Sequence, residues 1–296
     1  MFDAGDLNLF QWNPNLVRSG IVLVSALATP LMAETITVCP DGSCDFTDPA
    51  AAAASAVSGD VVEIAAGTYL LENTVGFGAN GPVADVTIRG AVDSDGQPAT
   101  VLDGQGALIP LATVYADQVL FENLIITNGY GEYGAGSRFI ASSDVVVRNC
   151  HFVNNHADWD GGGVRLSLQT TLTLVDCLIS GNTADHPRWP GQSRGAGALI
   201  SNATLTLERT RVCGNFESAN PGQQIVGVPV NLGGCVTDDC DACVITNPAD
   251  LDGDGLVNGV DLAILLASWG RNGAGDLDAD GLVNGIDLAI LLGAWN

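Results

Sequence analysis

An eleven-residue pattern recurs along the middle of the chain and limits what that region can fold into. Val145 to Asn155 aligns with Leu172 to Asn182, with Leu205 to Asn215 and, more weakly, with Gln118 to Asn128. The terminal asparagines, Asn128, Asn155, Asn182 and Asn215, stand 27, 27 and 33 residues apart. Gly134-Ala135-Gly136 and Gly161-Gly162-Gly163 follow six residues after their asparagines, whereas Gly195-Ala196-Gly197 follows thirteen after Asn182, so the third turn carries a seven-residue insertion. Each copy contains period-2 segments too short to form a sheet alone. Stacked coil on coil, each strand pairs in parallel with its equivalent about 4.8 Å away. The register predicts two inward ladders, Ile125-Phe152-Ile179-Val212 and Leu120-Val147-Leu174-Leu207, with the asparagines stacked at a turn that tolerates left-handed backbone. A β-sandwich would instead place turns every eight to twelve residues without a 27-residue register.

Upstream, Val86 to Gly90 and Thr100 to Gly104 read as less regular coils. Asp48-Pro49, followed by an alanine-rich run to Val57, predicts a capped helix over the open end of the stack. Residues 1–33 read as a signal peptide: Arg18 precedes the apolar run Ile21 to Ala28, too short to span a bilayer, and a polar start follows at Glu34. A buried first strand is the other reading. Export predicts a secreted or cell-surface protein with no transmembrane segment in the mature chain, and makes disulfides the expected use of the eight cysteines. Cys39 and Cys44 flank a tight turn. Cys213, Cys235, Cys240 and Cys243 sit where the repeats end, and the C-x-x-C pair could alternatively be half a zinc site. Cys150 and Cys177 occupy equivalent inward positions, and stacked Cβ atoms disfavour the disulfide dihedral, so buried thiols are expected there.

Charge excludes whole classes of partner. The net charge is −24, the 10 basic residues are all arginine, and without lysine a P-loop or Schiff-base mechanism is excluded. Phosphate-backbone binding needs a basic face, so nucleic acid is not an expected partner.

The last fifty residues repeat a different unit. Residues 250–261 read DLDGDGLVNGVD and residues 276–287 read DLDADGLVNGID. Acids at loop positions 1, 3, 5 and 12, glycine at 6, a carbonyl at 7 and asparagine at 9 give the oxygen-rich spacing of a calcium loop. The candidate ligands are Asp250, Asp252, Asp254, Leu256, Asn258 and Asp261, then Asp276, Asp278, Asp280, Leu282, Asn284 and Asp287. Each loop is expected to run into an apolar helix, Leu262 to Trp269 and Leu288 to Trp295. Position 12 is Asp rather than the Glu of EF-hands. The duplicated loop-helix unit resembles type I dockerin modules, which implies Ca2+ as the bound ion and a cohesin-like protein or cell-surface component as partner. Positions 10 and 11, Gly259-Val260 and Gly285-Ile286, depart from the hydroxyl pairs of cellulosomal modules.

Asp48-Pro49, Gly59 to Ile64, Gly67-Thr68-Tyr69 and the coils together resemble right-handed parallel β-helix proteins of the pectate-lyase-like group. Phe152-x-x-Asn155-x-Ala157 with the glycine triplet also resembles the repeats of polymorphic outer-membrane adhesins. The expected architecture is therefore mainly β. A right-handed parallel β-helix over residues 34–235 carries an N-terminal capping helix. A cysteine-containing linker covers 236–249, and a small α-helical, calcium-binding, dockerin-like domain covers 250–296.

Loops after the asparagines gather the candidate ligand-binding residues Tyr130, Tyr133, Trp159, Trp189 and Arg194, whose rings and charge suit sugars. Asp158 and Asp185 should be vertical neighbours, and with Asp160 and Arg188 they are the catalytic candidates. The sequence lacks Gly-His-Gly, the paired aspartates of polygalacturonases, an Arg-x-Lys clamp and the Asp-Phe-x-Phe-Gly signature of pectin methylesterases. The reading favoured is a non-catalytic surface or matrix protein that binds polysaccharide or a protein partner. The alternative is an extracellular polysaccharide lyase or glycoside hydrolase acting on acidic glycans. The insertion Ala184 to Arg194 should mark the functional surface, with pairing of its arginines to Asp158, Asp160 and Asp185 as the structural alternative.

Overall fold

The computed structural model describes residues 33–296 apart from 78–82, 187, 190, 218–222, 244–246, 253–255, 274, 279 and 296. The signal-peptide reading of residues 1–33 falls outside the described residues except at Ala33.

Among the described residues every strand pairing within the sheets is parallel, and successive coils stack as the repeat requires. One turn of the coil shows the plan. Val145–Arg148 lies in an eight-stranded sheet, His151–Val153 in a seven-stranded sheet, His156–Asp160 in a four-stranded sheet and Val164–Ser167 in a six-stranded sheet, before Thr171–Val175 re-enters the first. In that order they are the first, second, corner and third sheets. Alternating burial along each strand sends every second side chain inward. The inward residues form one continuous core containing Phe121, Phe139, Phe152, Leu102, Leu166 and Ile179, all fully buried. Phe77, Phe121 and Phe139 follow one another through it with centroids 6.3 Å apart at each step.

The predicted ladders are right over three coils and slipped by one in the fourth. Phe152 pairs with Ile179 and Ile179 with Val212, but their partner below is Ile126, not Ile125. Likewise Phe121, not Leu120, stands under Val147, Leu174 and Leu207. The cause is a β-bulge. Tyr130 and Gly131 pair with His156 and Ala157, whereas Tyr133 pairs with Asp160, so the coil above holds one extra residue at Asp158 and Trp159.

The same slip corrects the asparagine ladder. Gly129 N donates to Asn155 Oδ1, 26 residues on. Asn155 N and Nδ2 both donate to Asn182 Oδ1, and Asn182 N and Nδ2 both donate to Asn215 Oδ1. Gln224 Oε1 ends the ladder on Asn215 N and Nδ2. Each ladder asparagine also donates to a carbonyl, Ile126, Phe152 or Ile179, so a buried corner leaves no amide unpaired. Asn128 is not a member. It takes the left-handed position one residue earlier, at φ 50°, as Asn154 does at 56°, and Gly181 and Gly214 hold the equivalent sites above. The left-handed residue and the buried amide are therefore neighbours, not the same residue.

The helix α1, Pro49–Ser55, is N-capped by Asp48, whose carboxylate accepts from Ala50 N, and it buries Ala50, Ala52 and Ala53 in the core as an end cover. Disulfides join Cys39 to Cys44, Cys213 to Cys240 and Cys235 to Cys243. The last two tie the strand Cys235–Thr237 and the following 3-10 turn to the final coils, and the half-zinc reading of Cys240 and Cys243 is overturned because each is bonded to a different sulfur. Cys150 and Cys177 are buried thiols. Burial pushes the Cys177 thiol up to about 12 and drives that of Cys150 well above its ordinary value.

A second, smaller core of Ala249, Val257, Leu265, Val283 and Leu291 serves the C-terminal segment. Its helices are α2, Gly259–Ala267, and α3, Gly285–Gly293. Both begin three residues earlier than expected, because Asn258 and Asn284 act as N-caps with Asp261 and Asp287 closing the capping box.

Replacing Asn182 by Ala strands the Phe152 carbonyl and the Asn155 amide inside the corner, at a cost of about 3 kcal/mol by the usual penalty for orphaned buried groups. Asn128→Gly keeps the left-handed turn and should change stability by less than about 0.5 kcal/mol. Urea unfolding of the two variants against wild type measures the contrast.

Candidate functional site

Two groups of residues carry chemistry. The first lies at the corner between the second and third sheets, where the glycine triplets run beside the asparagine ladder. A Cβ on Gly136 would meet Gly163 O at 2.5 Å and Asn155 Nδ2 at 2.7 Å, and one on Gly163 would meet Gly197 O at 2.7 Å. Only glycine admits that approach. The corner is therefore flat and close-packed, and chain-length variation is displaced to the loops just after the ladder. The seven-residue insertion is found there: Ala157 still pairs with Ala184, and Asp160 next bridges to Arg194.

The structure sorts the expected site residues into three clusters. Tyr130 OH donates to Asp158 Oδ2 at 2.9 Å, and the Tyr130 ring stacks on His156 at 5.9 Å. His156 Nε2 lies 3.7 Å from Asp158 Oδ1, and its Nδ1 shares a hydrogen bond with Thr183 Oγ1. The hydrogen bond to Asp158, and then that carboxylate's charge, hold the Tyr130 phenol above its ordinary range. Asp158 thus bonds to the preceding coil rather than capping its own turn.

In the second cluster Trp159 packs on the His186 ring at 4.2 Å and on Trp189 at 5.6 Å, and His186 lies 4.7 Å from Trp189. Buried His186 Nδ1 accepts from Arg188 N and Trp189 N, and Ser193 Oγ accepts from His186 N and donates to Asp158 O. The insertion is thereby pinned to the coil, with Trp189 54% exposed. Arg188 is exposed and makes no ion pair among the described residues.

The third cluster joins Arg194 to Asp160 at 3.3 Å and lays the Arg165 guanidinium 4.8 Å over the Tyr133 ring. The expected pairing of an insertion arginine with a corner aspartate therefore holds at Arg194. Asp185 N donates to Ala157 O, continuing the ladder above Asp158, and Asp185 Oδ1 is buried without a hydrogen-bond partner. Sequence reasoning missed Arg138 and Arg165. Each stands four residues after the first glycine of its triplet, a recurrence that was available to it.

The second group is the acidic loops. Asp250, Asp252 and Asp261 each offer a carboxylate oxygen within 4.8 Å of the others, and Asp276, Asp278 and Asp287 do the same. Backbone amides fix the position-12 acids. Asp261 accepts from Leu251, Asp252 and Asn258, and Asp287 from Leu277, Asp278 and Asn284. The Asn258 N–H, with those of Leu251 and Asp252, holds the Asp261 carboxyl below its ordinary range. At Asp287 burial acts upward and the three amides outweigh it. Asp276 Oδ1 is buried without a partner. Three converging carboxylates with an orphaned buried oxygen fit a hard cation. The remaining expected ligands are engaged locally. Asn258 and Asn284 cap their helices through Oδ1, Asn284 Nδ2 donates to Leu282 O, and Asp280 Oδ1 accepts from Leu282 N. Asp254 lies outside the described residues. Gly281, at position 6, has φ 91°, as the tight loop demands.

A family model described as "Right handed beta helix region" matches residues 45–225. No curated protein sequence matches the chain. Among solved structures, a pectin methylesterase from Aspergillus niger aligns at 14% identity and a TM-score of 0.37, over 69% of this chain and 59% of that one. An alginate lyase from a Paenibacillus strain aligns at 14% identity and a TM-score of 0.40, over 67% of this chain and 74% of its own. The chain thus spans less than two thirds of the length of that pectin methylesterase.

Removing the Trp159 ring takes away the surface on which His186 and Trp189 rest. Trp159→Ala should raise the population of an opened insertion about tenfold, as expected for losing roughly 1–1.5 kcal/mol of ring packing. With no lysine in the chain, trypsin cuts only at arginine, so faster cleavage after Arg188 reports the opening directly.

Proposed function

The chain belongs to the right-handed β-helix family, and from that premise we propose that it is a non-catalytic protein of the cell exterior. In this reading its corner loops bind polysaccharide, and its C-terminal loop-helix pair takes Ca2+ and attaches the chain to a partner protein. One observation carries the binding reading: the two central carboxylates of the corner are committed to structure, Asp158 to Tyr130 and Asp160 to Arg194, while the Trp189 ring beside them is open to solvent. Fixed, exposed aromatic rings are what sugar faces stack on. Three disulfides among the described cysteines support an oxidising compartment. No described helix is long and apolar enough to cross a membrane.

The ion is argued from its donors. An all-carboxylate set in a duplicated loop suits Ca2+ better than a thiolate- or imidazole-preferring metal. Bound there, Ca2+ would neutralise carboxylates that otherwise repel. Asp261 and Asp287, already held by three amides each, would tie the cluster to the start of α2 and of α3. Attachment is supported by a duplicated exposed apolar set, Val260, Leu266 and Trp269 matching Ile286, Leu292 and Trp295. A cohesin-like protein is the partner this dockerin-like pair would take.

One observation favours the alternative, a polysaccharide lyase or glycoside hydrolase: the buried, unpartnered oxygen of Asp185 next in register to Asp158. Incubation with acidic and neutral polysaccharides separates the readings. The proposal expects retention of glycan with no new unsaturated or reducing ends. Product formation abolished by Asp185→Asn would establish the enzyme instead.

Calorimetric titration of the full chain, stripped with chelator, should give two Ca2+ equivalents and quench or shift Trp269 and Trp295 fluorescence. Asp287→Asn should leave one equivalent. A chain whose fluorescence and helix content are the same in chelator and in Ca2+ contradicts the metal reading.

A further inference from the structure

Arg138 and Arg165 occupy the same outward position on adjacent strands of the third sheet, Ser137–Ile140 and Val164–Ser167, and pair in register. Parallel neighbours lie about 4.8 Å apart, so two like charges are stacked one coil above the other. On a chain of net charge −24 such a pair is unexpected without acids between its members. Arg89, Arg148, Arg194 and Arg209 each hold a carboxylate. Arg138 and Arg165 make no ion pair among the described residues, and the Nε–H of each is buried with no hydrogen-bond partner.

The pair is held in place rather than splayed. A Cβ on Gly134 would sit 3.0 Å from the Arg165 Cβ and 3.3 Å from that of Arg138, so the glycine turn lies directly against both stems. The Tyr133 ring supports the Arg165 guanidinium from one side. Burial and then the Arg138 charge pull Arg165 below its ordinary value, against the opposing pull of Asp160 and Tyr133, and Arg194 adds further positive charge. Two guanidinium forks with unused donors, fixed at one coil spacing, match an oxyanion whose oxygens can bridge them.

We propose that Arg138 and Arg165 form an anion subsite that takes the carboxylate or sulfate groups of an acidic saccharide. The saccharide part rests on the polysaccharide reading above. The subsite adjoins Asp160, which directly follows Trp159, and Arg194, which lies five residues beyond Trp189, so one saccharide can place a charged group on the arginines and a sugar face on the rings.

The test is titration calorimetry on the full chain with four probes: oligogalacturonate and its methyl ester, and dextran sulfate and dextran. The expected result is binding of one or both charged probes at least tenfold tighter than their neutral counterparts, and the charged pair distinguishes carboxylate from sulfate. R138Q/R165Q should weaken charged binding at least tenfold and flatten its salt dependence, while Arg165→Lys, which keeps the charge and loses the fork, should weaken it several-fold. Unchanged affinity in the double variant, or equal binding of charged and neutral probes, overturns the subsite. If no saccharide binds, the polysaccharide reading fails, and inorganic sulfate decides the subsite by itself: millimolar binding lost in the double variant supports it, and no binding or unaltered binding overturns it. Should the double variant fail to fold, the wild-type contrast between charged and neutral probes still supports or overturns the subsite.

Discussion

The stack of buried asparagine amides at one corner is the interaction on which the remaining architecture depends. An amide that accepts from the coil below and donates to a carbonyl and to the amide above satisfies a backbone bend that has no water to bond with. It can do so only if the chain passing over it has no side chain, which is why a Cβ on Gly136, Gly163 or Gly197 would clash there. Amide and glycine thus fix the cross-section together. The sheets follow, because strands repeated at that corner spacing are delivered in register to their predecessors. The place of the seven-residue insertion follows too, since the fixed corner forces any variation in length into the loop immediately beyond it.

Much of this was legible because it is periodic. The recurring asparagines and glycines identify the corner, the displaced third triplet locates the insertion, and Asp48-Pro49 marks the covering helix. The slipped coil was not legible, for a definite reason. The bulge at Asp158 and Trp159 adds one residue after the ladder position, so Gly134 and Gly161 stand 27 apart although the strands before the bulge pair at 26, and Asn128 stands 27 from Asn155 only because it lies one residue before the ladder position that Gly129 holds. Equal spacing concealed an insertion. The left-handed residue was misplaced for the same reason, since Asn at φ 50° and Asn with a buried amide look alike in a sequence. Arg138 and Arg165 become neighbours only through the register of their strands.

Charge organises the candidate sites. Among the described residues Arg89, Arg148, Arg194 and Arg209 pair acids across coils, whereas Arg138 and Arg165 are stacked without an ion pair near the aromatic platform. The C-terminal loops do the reverse, concentrating carboxylates that could hold a cation. Both are local excesses that the fold holds in place through backbone groups, glycine turns at the corner and capping amides in the loops. That is the usual condition for a site prepared in advance of its ligand.

The central claim is that the corner amides, rather than the sheets alone, hold the coils in register. Amide hydrogen exchange of the full chain, resolved by residue, tests it most directly. The account predicts that the N–H groups of Gly129, Asn155, Asn182 and Asn215, each bonded to a side-chain oxygen, exchange as slowly as the most protected sheet amides and only with global unfolding. Exchange of these four through local opening, while the neighbouring strands Val145–Arg148 and Thr171–Val175 stay protected, would contradict it.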